Sequence, residues 1–214
     1  MINIDPINKQ IEFAIKEEII QGALTPGQKI SIEELSTRWG VSSTPVRDAI
    51  KSLEAKGFLK VSPRKAIYVA SLDARSFKEI HDLRIALECL AVELAIPHLT
   101  DEQIDEAIEK YQLAFEEYQK TGDRTALGRV DSVVHDLFRE NCHNSRLIGV
   151  IQDLRDLLDW AQAIVVLQPT SFEDALPEHI AILEQARKRN IQAARDAMRT
   201  HLSNAFARTI VRLE

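Results

Sequence analysis

The sequence predicts a mainly α-helical protein, with a small N-terminal unit of three helices and a β-hairpin followed by an antiparallel six-helix bundle. Apolar residues recur at helical spacing through most of the 214 residues, of which only 7 are glycines. Strand-like segments occur only in the first third, as FLKV and AIYV between residues 58 and 69. Beyond them, glycines and prolines divide the chain into helix-length segments.

Two short amphipathic helices joined by a tight turn are predicted within residues 31–57. Gly40 ends the first, because glycine readily adopts the left-handed backbone that stops a helix. Ser43 or Thr44 begins the second and can cap its free N–H groups. Pro45 sits just inside, where its missing N–H costs nothing. This pattern is typical of a helix-turn-helix.

The second of these helices has one apolar and one charged face. Val46, Ile50 and Leu53 fall at helical spacing and face inward, whereas Arg47 and Lys51 share the opposite face. Cations beside a hydroxyl-rich, positively polarised helix N-terminus suit phosphate contact and reading of the DNA major groove. An ordinary helical hairpin with a solvated charged face is the alternative.

A basic turn lies between the two strand-like segments that follow. It contains Arg64 and Lys65, so the segment from Phe58 to Val69 predicts a wing that adds cations to the DNA-binding surface. A helix from Pro6 to Gln21, with an isoleucine stripe, is expected to pack under the helix-turn-helix.

Charge is divided unevenly along the chain. Up to Leu72 there are 10 basic and 8 acidic residues, a net charge of +2, whereas the remainder has 17 basic and 25 acidic residues, a net charge of -8. We therefore expect a DNA-binding domain at 1–72 and a second domain at 73–214. The sequence contains no candidate transmembrane segment or signal peptide, so we expect a cytoplasmic protein. Cys89 and Cys142 are interpreted as buried reduced thiols.

Helical periodicity continues from Ala74 to the end of the chain. Six helices joined by short turns predict an antiparallel bundle, in which facing helices supply the side chains of a site. The predicted helices cover residues 74–96, 101–120, 123–142, 145–167, 172–189 and 191–212.

Four side chains in the bundle suit a metal ion. Asp131 and His135 are four residues apart on one predicted helix, although a surface pair or a buried hydrogen-bonded pair is the alternative. His179 and His201 each lie eleven residues from the turn at Asn190, so an antiparallel hairpin puts them at the same height. Three imidazoles and a carboxylate suit Zn²⁺, Ni²⁺ or Mn²⁺. The other histidines are expected near helix ends or on polar faces and are not assigned as ligands: His81, His98 and His143.

The N-terminal seventy residues resemble the GntR family of bacterial transcription regulators. The resemblance rests on GALTPG at 22–27, GVS at 40–42 and TPVRDAI at 44–50, with Leu53 and Gly57. Ser43 stands where the family usually has arginine, and Lys65-Ala66 where it usually has glycine after the basic residue of the wing. The resemblance implies a winged helix-turn-helix that binds double-stranded operator DNA.

The second half resembles the FCD ligand-binding domain. The matching residues are Leu83-Arg84, Leu87-Glu88, Ala91, Asp131, His135, Asn144, Glu178-His179 and His201-Leu202. In FCD proteins the corresponding aspartate and histidines bind a metal, which implies that role for Asp131, His135, His179 and His201. An FCD domain of six helices is more similar to the VanR-type branch of these domains than to the FadR-type branch, which has seven. Arg84 is a candidate for binding an effector carboxylate, with a salt bridge to Glu88 or to another carboxylate of the bundle as the alternative.

These resemblances imply a homodimeric transcription regulator controlled by a small organic acid at the metal site, with repression the more frequent role. We expect no enzymatic activity. Two alternatives are a metal-dependent hydrolase that uses the same four residues and a DNA-binding protein whose metal is purely structural.

Overall fold

The structure, a computed structural model, describes residues 5–63, 66–71, 73–123, 125–165 and 172–210. The chain divides into two compact units, one comprising 1–73 with 156–165 and the other comprising 74–155 with 166–214. Arg64 and Lys65 of the predicted wing turn lie outside the described residues. Within the described ranges, no helix is both long enough and apolar enough to cross a membrane.

The first unit contains three helices and a small antiparallel sheet. Strand order in the sheet is β1-β3-β2, and β3 pairs with both neighbours. The hairpin of β2 and β3 confirms the predicted strand-like segments, whereas the two-residue β1 was not predicted. The elements are α1 (Ile7–Ile20), β1 (Lys29–Ile30), α2 (Ile32–Trp39), α3 (Ser43–Ala55), β2 (Leu59–Val61) and β3 (Ile67–Val69).

Local signals set both ends of α2. The Ser31 hydroxyl accepts a hydrogen bond from the backbone N–H of Glu34 at 3.3 Å, which satisfies one of the free donors of the first turn. Gly40 has a φ of 64°, so the helix ends on a left-handed residue as predicted.

The start of α3 differs from the prediction. Its N-cap is Ser42, which has an extended backbone and makes no side-chain cap hydrogen bond. The predicted capping by Ser43 or Thr44 is therefore wrong, because both residues already lie inside the helix. Pro45 is in the first turn, where helix N–H groups lack intrahelical partners in any case.

The core of the first unit lies between α1 and α3, which pack against each other. Ile15 on α1 and Leu53 on α3 are both completely buried. Residues 156–165 add to this core, since the Trp160 ring stacks on Phe58 with 5.5 Å between ring centroids. Burial of these side chains fixes the orientation of α3 and leaves its opposite face in solvent.

The described part of the second unit is helical, and the C-terminal half of α8, residues 156–165, belongs to the first unit. Five of the six predicted helices are confirmed, and the predicted ends at residues 167 and 212 lie outside the described residues. The predicted helix at 123–142 is instead two helices, α6 and α7, separated at Asp131–Ser132. The elements are α4 (Ala74–Ala95), α5 (Asp101–Thr121), α6 (Thr125–Val130), α7 (Val133–Asn141), α8 (Ser145–Val165), α9 (Phe172–Arg187) and α10 (Ile191–Ile210).

A tyrosine from α5 stabilises the break between α6 and α7. The Tyr111 hydroxyl accepts the backbone N–H of Val134 at 3.1 Å and donates to the carbonyl oxygen of Asp131 at 3.4 Å. Ser132, at the N-cap of α7, makes no side-chain cap hydrogen bond. Since Val134 is completely buried, water cannot satisfy its N–H. Tyr111 thus replaces the missing cap.

Helix α10 packs against α4 and α9, and α4 also packs against α7. His81 on α4 is 3% exposed, lies against Phe77 and Phe206, and its Nε2 is 2.7 Å from the carbonyl oxygen of Leu202. The expectation of a helix-end or polar-face position is therefore wrong for His81. This packing brings α7, α9 and α10 together at the histidine cluster described below.

Candidate nucleic-acid interface and metal centre

The predicted DNA-contacting residues on α3 share one exposed surface. Ser43, Thr44, Arg47 and Lys51 are all exposed, opposite the buried apolar stripe of the helix. The Lys51 ammonium is 3.7 Å from the Asp48 carboxylate, and both side chains are largely in solvent. Exposed pairs of this kind contribute little to stability, so DNA phosphates can compete for the lysine.

Three histidines from three helices meet inside the second unit. His135 is on α7, His179 on α9 and His201 on α10, and one ring nitrogen of each lies within 4.8 Å of the other two. His179 is 1% exposed and His201 is 4% exposed. The equal spacing of His179 and His201 from Asn190 predicted this proximity.

The spacing of the nitrogens suits ligands of one metal ion. The Nε2 atoms of His179 and His201 are 3.2 Å apart. Two nitrogens at the usual zinc distance of about 2.05 Å in tetrahedral geometry would be about 3.3 Å apart. A donor set of imidazoles also matches what Zn²⁺ and Ni²⁺ prefer.

Asp131 is not among the side chains that converge on this point. The described carboxylates and thiols add no fourth member to the group of ligand atoms within 4.8 Å. The prediction placed Asp131 four residues before His135 on one helix, but Asp131 lies in the turn before α7. The position of Asp131 relative to His135 is therefore set by this turn and not by helical spacing. The Tyr111 hydroxyl stabilises the turn by donating to the carbonyl oxygen of Asp131.

Two carboxylates accept hydrogen bonds from the Nδ1 atoms of these histidines. Glu88 on α4 accepts one from His135, and Glu178 on α9 accepts one from His201 at 2.7 Å. A carboxylate at Nδ1 leaves Nε2 with its lone pair, which is the arrangement found behind metal-bound histidines.

Burial and charge set the protonation of the cluster. Burial lowers the pKa of His179, and His201 and His135 lower it further, so this imidazole is neutral at pH 7. Burial also lowers the pKa of His201, although the hydrogen bond with Glu178 raises it. Burial alone would raise the pKa of Glu88, but charge interactions with Arg84 and His135 hold it well below its usual range. Burial would also raise the pKa of Glu178, but hydrogen bonds from His201 and Arg208 lower it to about 2. Both carboxylates are thus ionised, and the imidazoles of His179 and His201 are neutral.

Arg84 lies close to the cluster and is paired. Its Nε donates to the Glu88 carboxylate at 2.6 Å, which is the salt bridge considered as the alternative to effector binding. Because the other oxygen of Glu88 accepts from His135, Arg84 is linked to the cluster through this carboxylate. Binding of an effector carboxylate by Arg84 stays a prediction.

Three side chains that make these contacts were not predicted to do so. Glu88 was considered as a partner for Arg84, and both Glu88 and Glu178 are among the residues that resemble the FCD domain, but neither was assigned a role beside the histidines. Tyr111 was not identified. Hydrogen bonds between distant segments give these residues their roles, and helical spacing alone carries no signal for such contacts.

Comparison with known proteins agrees with both units. The model of the bacterial regulatory proteins of the gntR family matches residues 7–69, and the FCD domain model matches residues 79–204. An HTH-type transcriptional regulator of Bacillus subtilis, YdhC, is 30% identical over 202 residues, covering 93% of this chain and 89% of that protein. The Escherichia coli transcriptional repressor RspR is 24% identical over 200 residues, covering 92% and 86%.

Among solved structures, E. coli McbR/YncC has the same fold, with a TM-score of 0.72, 23% identity, and coverage of 95% of this chain and 97% of that one. The matched family and these relatives are transcriptional regulators rather than enzymes. A helix-turn-helix with an exposed hydroxyl and cationic face is joined here to a helical unit with a histidine cluster, and both parts match their family models. The chain therefore belongs to the GntR family of bacterial transcription regulators and carries an FCD domain.

Proposed function

We propose that this regulator binds its operator as a homodimer and responds to a small organic acid at a divalent metal ion held in the FCD domain. The observation that supports the metal is the convergence of ring nitrogens from His135, His179 and His201 within 4.8 Å, two of them at 3.2 Å. Asp131 is the proposed fourth ligand, and since its carboxylate is not in the group of ligand atoms within 4.8 Å, its binding requires a local change in the turn before α7. The metal would be Zn²⁺, Ni²⁺ or Mn²⁺. When bound, such an ion supplies positive charge and open positions that a carboxylate can occupy.

Side chains of this domain would bind the effector and exclude water from the site. The buried imidazoles of His179 and His201 come from adjacent helices, so a ligand there contacts α9 and α10 together. The guanidinium of Arg84 is the proposed partner of the effector's carboxylate, in competition with Glu88. Because effector and operator binding are coupled, each must change the affinity of the other by the same factor.

The DNA side of the proposal rests on the first unit, with residues 1–72 as the DNA-binding domain and 73–214 as the effector domain. The exposed face of α3 carries Ser43, Thr44, Arg47 and Lys51, and we propose that Arg64 and Lys65 of the wing add phosphate contacts. A homodimer would place two such helices in successive major grooves of a palindrome, about 34–36 Å apart. Bacterial operator DNA lies in the cytoplasm, so this function requires a cytoplasmic protein. Repression is proposed by analogy with RspR.

Assignment to the VanR-type branch stays a prediction. It depends on counting helices in the second domain, and in the described residues the count becomes seven when α6 and α7 are separate.

The first test is elemental analysis of full-length protein purified without chelator, compared with His179→Ala. We expect about one metal per chain in the wild type, as for a single four-ligand site, and loss of that metal in the variant. The matched control is His98→Ala, which alters an exposed histidine and should keep the metal. If neither the purified protein nor protein incubated with Zn²⁺, Ni²⁺ or Mn²⁺ binds metal, the histidines are a buried polar cluster.

A second measurement separates a sensor from a protein with a purely structural metal. Thermal shift with acetate, lactate, succinate and benzoate should show stabilisation in the metal-bound form only, and a stabilising acid should change operator affinity. If chelation unfolds the FCD domain and no acid changes operator binding, the metal is structural.

A further inference from the structure

Two carboxylates behind the histidine cluster are held in place by side chains outside it. Glu88 accepts from Arg84 Nε at 2.6 Å with one oxygen and from His135 Nδ1 with the other. Its side chain is only 8% exposed. Glu88 is therefore oriented from both sides and has little freedom to turn away from His135.

Glu178 is oriented in the same manner by α10. Besides the bond with His201 Nδ1, it accepts from Asn204 Nδ2 at 2.8 Å and from both terminal nitrogens of Arg208 at 3.0 and 3.1 Å. His201, Asn204 and Arg208 lie at i, i+3 and i+7, so they share one face of α10. The carboxylate contacts three side chains of that face at once.

This geometry decides which nitrogen of each ring carries the proton. A carboxylate only accepts hydrogen bonds, so the nitrogen facing it must be the N–H. Nδ1 is that nitrogen in His135 and His201, which leaves the Nε2 lone pairs available.

We propose that Glu88 and Glu178 are positioning residues that hold His135 and His201 in the Nδ1–H tautomer, with their Nε2 atoms available to the metal. The inference rests on the metal site proposed above and adds the residues that prepare its ligands. It applies to the protein before any metal arrives, so it can be tested on metal-free protein.

A purely structural role would give the same contacts, since Glu88 joins α4 to α7 through His135 and Glu178 joins α9 to α10 through His201 and Arg208. The two roles differ in what they predict for the rings. Structural carboxylates would affect the stability of the fold, whereas positioning carboxylates would also change the tautomer of one particular histidine. Glu93 on α4 offers a matched control, because it pairs with Arg195 on α10 at 2.9 Å.

The test is two-bond ¹⁵N–¹H correlation spectroscopy of metal-free, full-length protein with ¹⁵N-labelled histidine, at a pH near 7.5. In the wild type, His135 and His201 should each give the pattern of an Nδ1–H imidazole. In Glu178→Ala the His201 pattern should shift toward the Nε2–H form, while His135 is unchanged. Glu178→Gln, whose amide oxygen can still accept, should restore the wild-type pattern, and Glu93→Ala should leave both rings unchanged.

Metal binding provides the second measurement. Competition for Zn²⁺ with a chromophoric chelator should give a Kd raised about 10–100-fold in Glu178→Ala, with the Glu93→Ala value unchanged. Removing the Glu88 carboxylate alone would leave the half-buried Arg84 guanidinium without its acceptor, so the variant for that position is the double substitution Arg84→Ala/Glu88→Ala. In this variant the His135 pattern should shift toward the Nε2–H form, while the His201 pattern is unchanged.

Nε2–H tautomers at His135 and His201 in the wild type, or an unchanged His201 in Glu178→Ala, would overturn the inference. Equal losses of Zn²⁺ affinity in Glu178→Ala and Glu93→Ala would also overturn it. If the wild type binds no metal, the proposed function fails, and the tautomer measurement still decides the role of the carboxylates.

Discussion

Replacing Tyr111 by phenylalanine tests how the break between α6 and α7 is stabilised. The Tyr111 side chain is 1% exposed, and burial raises the pKa of its hydroxyl well above the usual range, so the group stays protonated. Tyr111→Phe keeps the ring packed but leaves the N–H of Val134 without an acceptor. An unsatisfied buried donor costs about 1–3 kcal/mol, so the free energy of unfolding should fall by about that amount.

Urea unfolding followed by circular dichroism measures this loss, and thermal unfolding provides a second estimate. For a chain of this length each kcal/mol lowers Tm by about 2–4 °C. The matched control is Tyr118→Phe, because the Tyr118 hydroxyl donates to Glu173 at 2.9 Å and is partly exposed to water. That variant should lose less than about 0.5 kcal/mol, as surface substitutions do. Equal stability of Tyr111→Phe and the wild type would show that the hydroxyl does not cap α7.

Three further predictions concern other parts of the chain. Burial lowers the pKa of His81 from 6.5, so below about pH 6.5 the unfolded chain binds more protons than the folded chain, and the free energy of unfolding falls on acidification. In urea titrations, His81→Gln should lose less stability than the wild type between about pH 7.5 and pH 5. Equal losses in the two proteins would contradict this. Gly40→Ala should lower the free energy of unfolding by about 1–2 kcal/mol because of the left-handed backbone at that position. Gly149→Ala, within α8, is the control and should not destabilise the protein. An unchanged unfolding midpoint for Gly40→Ala would refute the argument. Arg47→Ala should weaken operator binding by about 1–3 kcal/mol in fluorescence anisotropy at fixed salt, with metal content unchanged, and unaltered affinity would remove Arg47 from the interface.

Local signals account for the parts of the fold that were predicted. The end of α2 follows from one residue, Gly40, whose backbone few other residues adopt. The proximity of His179 and His201 follows from counting residues on either side of Asn190, since helical rise is constant.

The missed features depend on contacts between distant segments. The apolar pattern of residues 123–142 continues at helical spacing, so nothing local marks the break at Asp131–Ser132. The hydroxyl that stabilises it comes from Tyr111, twenty residues earlier. Strand β1 forms because it pairs with β3. It is only two residues long, so it is too short to show an alternating pattern in the sequence.

The packing of Trp160 on Phe58 has a practical consequence for fragments of this protein. Both side chains are completely buried, and Lys16 on α1 also pairs with Asp156 at 2.5 Å. A polypeptide that stops at Asp73 would lack the segment 156–165 and would expose the aromatic face of Phe58 to water. Loss of a buried tryptophan alone costs about 3–5 kcal/mol. Such a fragment should be prone to aggregation, and operator-binding studies of the N-terminal half should include a source of the missing segment.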